Sequence, residues 1–537
     1  MALNRRLAAA SAAVWVLASG CTTGKSGGGQ SGANNGSENV VRQVMVAEPA
    51  TLDPALVPDI YTEQMVCHSF EGLTRFNEQN QIEPCLAEKW EISPDGKTYT
   101  FHLRKGVKFH NGRVFEAADV KYSWERAIAP ATASAQASTY LDGILGLKEV
   151  ADGKAKELIG VKVIDASTLQ VTLNRPRAYF TGMLTMAQDY VVCKEAVDKT
   201  GGKVTIDSFV GTGPFKLTAY KPGQQLSFSA FADYWGGKPA CDGVEMPIIL
   251  DKQTAYDNYQ TGKVDVFPNM SGNKFAQDRD AGKLKDQYRL SPVCSFTYLG
   301  MEENKQPAFK KVDVRRAFAY AIDRAEVARI AYRGVAPVAT GALPTGMPLA
   351  GPTPPTLNYN PEKARQLLAA AGYPGGKGFP ALTLSFLQKD PDVEAAATIL
   401  RRNLHDNLGI EVTLQAREAG EFFKAEDKHE MELWYGGWVA DYLDPQDFLS
   451  VLYLSDAGLN YPEFKNAEFD ALCNAADSSS DPAKRADLYG KANAMVMDLF
   501  PVVPLVNTPR VSLVSPKLKG WRENMLYLLP NTGTSKH

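Results

Sequence analysis

Nothing after residue 40 in this chain of 537 residues reads as a linker. A chain that long exceeds what one hydrophobic core can hold and divides into two or three domains. Without Pro-, Gly- or Ser-rich spacers those domains must share one continuous, mutually packed chain. Segments far apart in sequence are therefore expected side by side. No short internal repeat is present to build a solenoid. A hydrophobic content of 44% and a charged content of 22% are ordinary for a folded soluble protein. A net charge of −3 with no basic run argues against nucleic acid as a partner.

The first residues follow other rules. Arg5 and Arg6 precede an apolar run from Leu7 to Leu17, which is too short to span a bilayer and has the length of a signal-peptide core. Leu17-Ala-Ser-Gly-Cys21 follows. It resembles the bacterial lipoprotein signal, in which small residues precede a cysteine that is diacylated and becomes the new N-terminus; Ala18 stands where leucine is commoner. A plain secretory signal with an incidental cysteine is the alternative. Thr22 to Ser37 has almost nothing to bury in a core, and its Gly/Ser/Asn composition makes a flexible coil. Residues 1–20 are read as signal and 21–39 as lipidated Cys21 with its tether, an arrangement that holds a globular body near a membrane. No later apolar run is long enough to span a bilayer. The other cysteines, Cys67, Cys85, Cys193, Cys241, Cys294 and Cys473, are scattered without a CxxC pair, which argues against zinc. Disulfides and buried free thiols both remain open.

Strands and helices mix without a regular βαβ repeat. Thr98 to His110 alternates apolar and polar side chains around Lys105-Gly106 and predicts a hairpin; Thr168 to Leu173 has the same period of two. Met431 to Tyr435 predicts a strand. Three helices have legible starts: Asp313, Asn360 with Pro361, and Asp390 with Pro391. Gly372 and Gly409 close the last two. Their stripes, such as Ala364, Leu367, Leu368 and Ala371, or Val393, Ala397, Leu400 and Leu404, belong to a core.

Motifs of catalysis are missing. His429-Glu-Met-Glu-Leu433 begins like a zinc-protease helix, but Leu433 occupies the place of the second histidine. Gly211-Thr-Gly213 lacks the third glycine of a dinucleotide loop and reads as a tight turn. There is no GxSxG and no Walker loop. Neither a metal nor any other cofactor is expected, and the balance favours binding over catalysis.

Several stretches, in order, resemble the oligopeptide- and dipeptide-binding family of ABC-transporter solute-binding proteins. They are Glu48-Pro-Ala-Thr-Leu-Asp-Pro54, Leu86-Ala-Glu-Lys-Trp-Glu, Pro94-Asp-Gly-Lys-Thr-Tyr-Thr-Phe-His-Leu-Arg-Lys-Gly106, Gly211-Thr-Gly-Pro-Phe-Lys-Leu, Tyr234-Trp-Gly-Gly, Asp313-Val-Arg-Arg-Ala, Lys363-Ala-Arg-Gln-Leu-Leu-Ala-Ala-Ala-Gly-Tyr373 and Gly437-Trp-Val-Ala-Asp-Tyr442. Together they cover essentially the whole mature chain. The resemblance implies an α/β fold of two lobes that close about a hinge, with an extra α/β subdomain on the first lobe. On that pattern the first lobe takes residues 40–60, 185–293 and 506–537, the subdomain 61–184 and the second lobe 294–505. It implies a monomer that hands its ligand to ABC permease subunits in the cytoplasmic membrane and catalyses nothing.

The same resemblance implies a site. The family's aspartate in the W-x-x-D segment pairs with the α-ammonium of a bound peptide, and here that residue is Asp441. Gly437 and Val439 would offer backbone groups to an extended peptide, with Trp438 as pocket wall or hinge-side packing. Glu48 and Ala50, on the first lobe's opening strand, would meet the ligand's other edge. Asn269 and Cys294 align near the family's ligand contacts. Asp444 and Asp447 read as a turn acid and a first-turn helix acid. Two departures matter. Val439 replaces a cysteine able to pair with one at the position of Cys294, and Tyr435 stands where some members carry an arginine for the peptide carboxylate. Two rival readings remain: the same fold holding an oligosaccharide, opine, haem or metal chelate, and a secreted hydrolase.

Overall fold

A computed structural model describes residues 39–388 and 390–537; the signal segment, Cys21 and the tether up to Ser37 lie outside the described residues. Two lobes each carry their own sheets. In the first, a four-stranded sheet runs in the order Val40–Arg42, Gly243–Pro247, Gln225–Ala230 and Phe215–Lys221. Its outermost strand, Val40–Arg42, lies parallel to Gly243–Pro247. Beside it, Arg510–Val514 is the centre of a three-stranded sheet, flanked by Val266–Phe267 and Tyr288–Ser291. The start, middle and end of the chain thus share one lobe, as the lack of linkers requires.

A second four-stranded sheet on this lobe has the order Ala87–Ile92, Thr98–Leu103, Thr168–Thr172 and Val161–Asp165. Tyr99, Phe101 and Leu103 alternate inward and pack with Trp124 from the helix Ala117–Ile128. The predicted hairpin is corrected here. Thr98–Leu103 pairs with Ala87–Ile92 on one edge and Thr168–Thr172 on the other. Gly106, at φ 74°, instead turns the chain into a loop in which Lys108 bridges Val114. Val107 and Phe109 are buried in the same core; their alternation reports burial, while Ala87–Ile92 and Thr168–Thr172 hold both edges of Thr98–Leu103. Gly211 and Gly213 also differ from expectation. Neither has a positive φ. A Cβ on Gly211 would lie 1.9 Å from the Ser69 carbonyl oxygen, so the glycines permit close passage of two backbones.

The second lobe is built on a five-stranded sheet ordered Val412–Arg417, Leu382–Leu387, Leu433–Val439, Ser295–Met301 and Val502–Pro504. One face carries the helices Val312–Ala321, Pro361–Ala370 and Pro391–Leu408 over a core that includes Phe318, Leu368, Leu400 and Leu433. Asn360 and Asp390 accept the first backbone N–H groups of their helices, and Gly409, at φ 68°, ends the second. The helix expected to open at Asp313 begins at Val312, with Asp313 in its first turn. The other face is aromatic: Phe296, Tyr298, Trp434, Trp438, Phe448 and Tyr453. Glycine makes this possible, because Trp434 lies flat over Gly300, where a Cβ would come within 2.2 Å of its ring.

The lobes are joined by two adjacent crossings, residues 292–294 and 505–509. Asn507 donates its side-chain N–H to the Ser295 carbonyl at 2.8 Å, and Ser295 Oγ meets Thr508 Oγ1 at 3.0 Å. The lobes also touch away from the crossings. Tyr179 stacks on Tyr442 at 6.3 Å between ring centroids, and Ala178 N–H donates to the Asp477 carbonyl at 2.9 Å. All six described cysteines are free and buried.

Gly300→Ala is expected to destabilise the second lobe by about 1–3 kcal/mol, the usual cost of overpacking a core. Urea unfolding of the variant against the parent chain reads this directly; an unchanged midpoint would show that the indole has room to move.

Candidate functional site

The Leu433–Val439 strand pairs with Ser295–Met301 along its whole length. Two bonds fix the phase of that ladder: Ala440 N–H donates to the Cys294 carbonyl at 2.7 Å, and Glu302 N–H donates to the Glu432 carbonyl at 3.1 Å. Backbone groups of successive residues in a strand point to opposite edges. Even-numbered residues therefore bond to Ser295–Met301, and odd-numbered ones face away from it. On that far edge only Leu433 and Trp434 register with Leu382–Leu387. Gly437 and Val439 turn their N–H and C=O groups to an edge that carries no strand among the described residues. Both are half-buried, between buried Gly436, Trp438 and Ala440. The strand expected over Met431 to Tyr435 begins two residues later, at Leu433, and runs on through both glycines to Val439. Gly436 is required by packing, since a Cβ there would lie 2.6 Å from the Tyr298 ring.

An unpaired strand edge inside a protein is a template for another extended chain, which would supply the missing partners of the backbone groups. This edge ends at Asp441. Asp441 N–H donates to Asp447 Oδ2 at 2.9 Å, and the Trp438 indole N–H donates to the same oxygen at 3.2 Å. Burial pushes the Asp447 carboxyl up and the Asp441 charge adds to this, while the two N–H donors pull it back. Asp444 caps the short turn of helix Pro445–Asp447 through Gln446 N–H, 3.0 Å away, and accepts from Arg485 at 2.8 Å; both partners of that ion pair are buried. Asp444 and Asp447 are thus committed to holding the loop, and Asp441, 9% exposed, is what they hold.

The other sequence-derived residues fall in three places. Cys294 is buried, its carbonyl fixes Ala440, and its sulfur lies 3.9 Å from that of Met347. Asn269 adopts φ 62° and donates to the Tyr61 hydroxyl at 2.8 Å, on the first lobe. Glu48 and Ala50 lie beyond the opening strand, which ends at Arg42. The Glu48 carboxylate accepts from the Tyr220 hydroxyl and from Gly223 N–H, and Ala50 N–H donates to Thr62 Oγ1 at 3.0 Å. Side chain and backbone there are already engaged by the first lobe itself. Trp438 is 3% exposed and serves the loop through its indole N–H.

Sequence reasoning missed the Asp447 anchor and the Tyr179–Tyr442 stack. Asp447 had a signal, since an acid three residues after Asp444 in a Pro-initiated turn can fold back on the chain. The stack had none, because its partners are joined only in the tertiary structure. Tyr435, at the place of the family's arginine, meets the Tyr332 hydroxyl at 2.5 Å. No group of His, Cys, Asp and Glu able to hold a metal occurs among the described residues. His429 sits at φ 53°, 3.4 Å from Glu463, in a turn.

The family model described as bacterial extracellular solute-binding proteins, family 5 Middle, matches residues 81–460. The chain belongs to this family. Heme-binding protein A of Haemophilus influenzae is 31% identical over 92% of this chain and 91% of its own length. Oligopeptide-binding protein OppA of Bacillus subtilis is 27% identical over 96% and 95%. The solved structure of DppA from Helicobacter pylori, in complex with the peptide STSA, superposes with a TM-score of 0.73 at 26% identity, covering 93% of this chain and 98% of that one. The class is one of extracellular solute binders. No helix among the described residues is long and apolar enough to cross a membrane.

Asp447→Ala strips the acceptor from two buried N–H groups. It is expected to cost about 1–3 kcal/mol of stability for each donor left without a partner and to loosen Asp441. Asp447→Asn, which keeps an acceptor, should lose less. Thermal unfolding of the two variants checks the order; equal losses would contradict it.

Proposed function

We propose that this protein captures short peptides between its lobes and delivers them to an ABC importer. The observation that carries the reading is the open edge at Gly437 and Val439, which ends at Asp441. A peptide laid along it would add a strand, and main-chain bonds recognise any sequence. Its α-ammonium would meet the Asp441 carboxylate, the one charge that every peptide brings at that end. In a closed site such a charge needs a partner, and the charge-assisted bond sets the ligand's direction. The names of the relatives agree with this reading, OppA as oligopeptide-binding and DppA with a bound peptide.

The finer parts of the proposal follow the sequence. The lobes would be 40–60 with 185–293 and 506–537, the subdomain 61–184 and the second lobe 294–505; the crossings at 292–294 and 505–509 support that division. Lipidated Cys21 would anchor a monomer beside the permease, and the protein would bind its ligand without chemistry. One relative is a heme-binding protein, so hemin belongs in the binding panel.

Asp441→Ala is expected to weaken peptide binding by about 2–5 kcal/mol, the range for removing one partner of a buried charged pair. N-acetylation of the peptide should cost a similar amount. A free peptide ammonium titrates near about 7.7–8.0. Pairing raises that value in the complex, so affinity is full below it and falls as pH rises through it, by up to about tenfold per unit. Calorimetric titration from pH 6 to 10 reads both effects. Unchanged affinity in the variant, or tight binding of hemin and none of peptide, would overturn the reading.

A further inference from the structure

Asn39, where the tether read from the sequence joins the fold, is tied at three points. Its side-chain N–H donates to the Ala240 carbonyl at 2.8 Å, and its side-chain oxygen accepts from Lys536 N–H at 2.8 Å. Its own carbonyl accepts from Asp242 N–H at 2.9 Å. Lysines crowd this root. Lys238, two residues before Ala240, is exposed. Leu518 registers with Lys536, and Lys517 and Lys519 stand on either side of it. Successive side chains of an extended chain point to opposite faces. Leu518 is buried, and both lysines are exposed on the other face.

The acids around Asn39 serve other cations. Asp265 holds Lys536 and Glu245 holds Arg42, each at 2.9 Å. Asp242 is the exposed acid at this rim. Lys238, Lys517 and Lys519 make no ion pair with any described residue. Trp235, three residues before Lys238, extends the positive face: the Arg104 guanidinium lies 4.4 Å from its ring centroid, and its Nε donates to a carbonyl, that of Cys85, at 2.6 Å. The chain as a whole carries a net charge of −3. An anionic surface therefore repels the molecule at large, and attraction to one has to come from a single face. Residues 21–38 have the composition of a coil whose reach is about 20–25 Å. That is about three Debye lengths in physiological salt. A tether that has already brought the fold to a surface lets a weak attraction orient it.

We propose that Lys238, Lys517 and Lys519, with Arg104 at the margin, lie against the anionic phospholipid headgroups of the membrane that holds Cys21. The first lobe is then the fixed half of the hinge, and the second lobe turns on the crossings. Lysine suits the role, because an ammonium on a flexible stem meets a phosphate as a point charge and needs no fixed partner geometry. This surface does not depend on what the cleft holds; from the reading above it takes only the tether at Cys21.

The test keeps the tether and dispenses with the cell's lipidation. In the chain from Cys21 onward the six other cysteines are buried, so a lipid with a maleimide headgroup couples at Cys21. Lysine acylation by an amine-reactive ester, read by peptide mass spectrometry, is compared on two kinds of vesicle: phosphatidylcholine alone, and phosphatidylcholine with phosphatidylglycerol in equal parts. On the anionic vesicles Lys238, Lys517 and Lys519 should react at least about threefold more slowly, because a surface at about −30 mV holds protons on nearby amines by that factor before any occlusion. Lys377, Lys465 and Lys484, exposed on the second lobe, should react alike on both. Salt at about 1 M, where the Debye length is about 3 Å, should erase the difference. Protection absent from the three first-lobe lysines, or shared equally by those of the second lobe, overturns the proposal. Protection that appears on phosphatidylcholine alone, or survives the high salt, overturns it too, since charge is then not the cause. Peptide binding is measured separately, so failure here leaves the reading of the cleft standing.

Discussion

The pairing of Leu433–Val439 with Ser295–Met301 is the interaction on which the rest of the molecule depends. Ser295–Met301 leads out of one crossing between the lobes, and its other edge holds Val502–Pro504, which leads into the second. The strand pair therefore fixes three things together: the position of the hinge, the phase of the backbone groups at Gly437 and Val439, and the direction in which Asp441 leaves the sheet. A shift by one residue would reverse every side chain on the strand. Trp434 would then leave the aromatic face for the helical one. Gly300 and Gly436 fit only the observed register, because the indole and the Tyr298 ring occupy the volume their Cβ atoms would need.

Buried acids set the electrostatics around that strand, and several of them hold structure. Asp444 is paired with Arg485, Asp447 collects two N–H groups, and Glu71 in the first lobe accepts from Tyr234, Trp235 and Thr212. Removing a partner from such a group leaves an uncompensated polar atom in a low dielectric, which is why these contacts hold a loop rigidly. Asp441 is the acid they position.

Much of this was legible in the sequence. Asn360-Pro361 and Asp390-Pro391 gave helix starts that the structure places at the same residues, because a side-chain cap followed by proline is a local signal. The ordered family segments, Gly437 to Tyr442 above all, pointed to the family and to Asp441. What escaped was tertiary. The alternation from Thr98 to His110 could not say that Thr98–Leu103 pairs with the strand before it, Ala87–Ile92, and with distant Thr168–Thr172. Glu48 read as a residue of the opening strand, yet its carboxylate is turned to Tyr220 and Gly223, contacts made by a hairpin far along the chain.

The central claim is that a peptide pairs with the open edge of Leu433–Val439. Hydrogen–deuterium exchange, resolved to single residues by fragmentation and measured with and without a bound tripeptide, tests it most directly. The amides of Gly436 and Trp438, already bonded to Ser295–Met301, should be slow in both states. Those of Gly437 and Val439 should exchange quickly in the free protein and become protected when peptide binds. Protection that spreads evenly over both lobes but leaves Gly437 and Val439 as fast as before would contradict the account, placing the ligand elsewhere in the cleft.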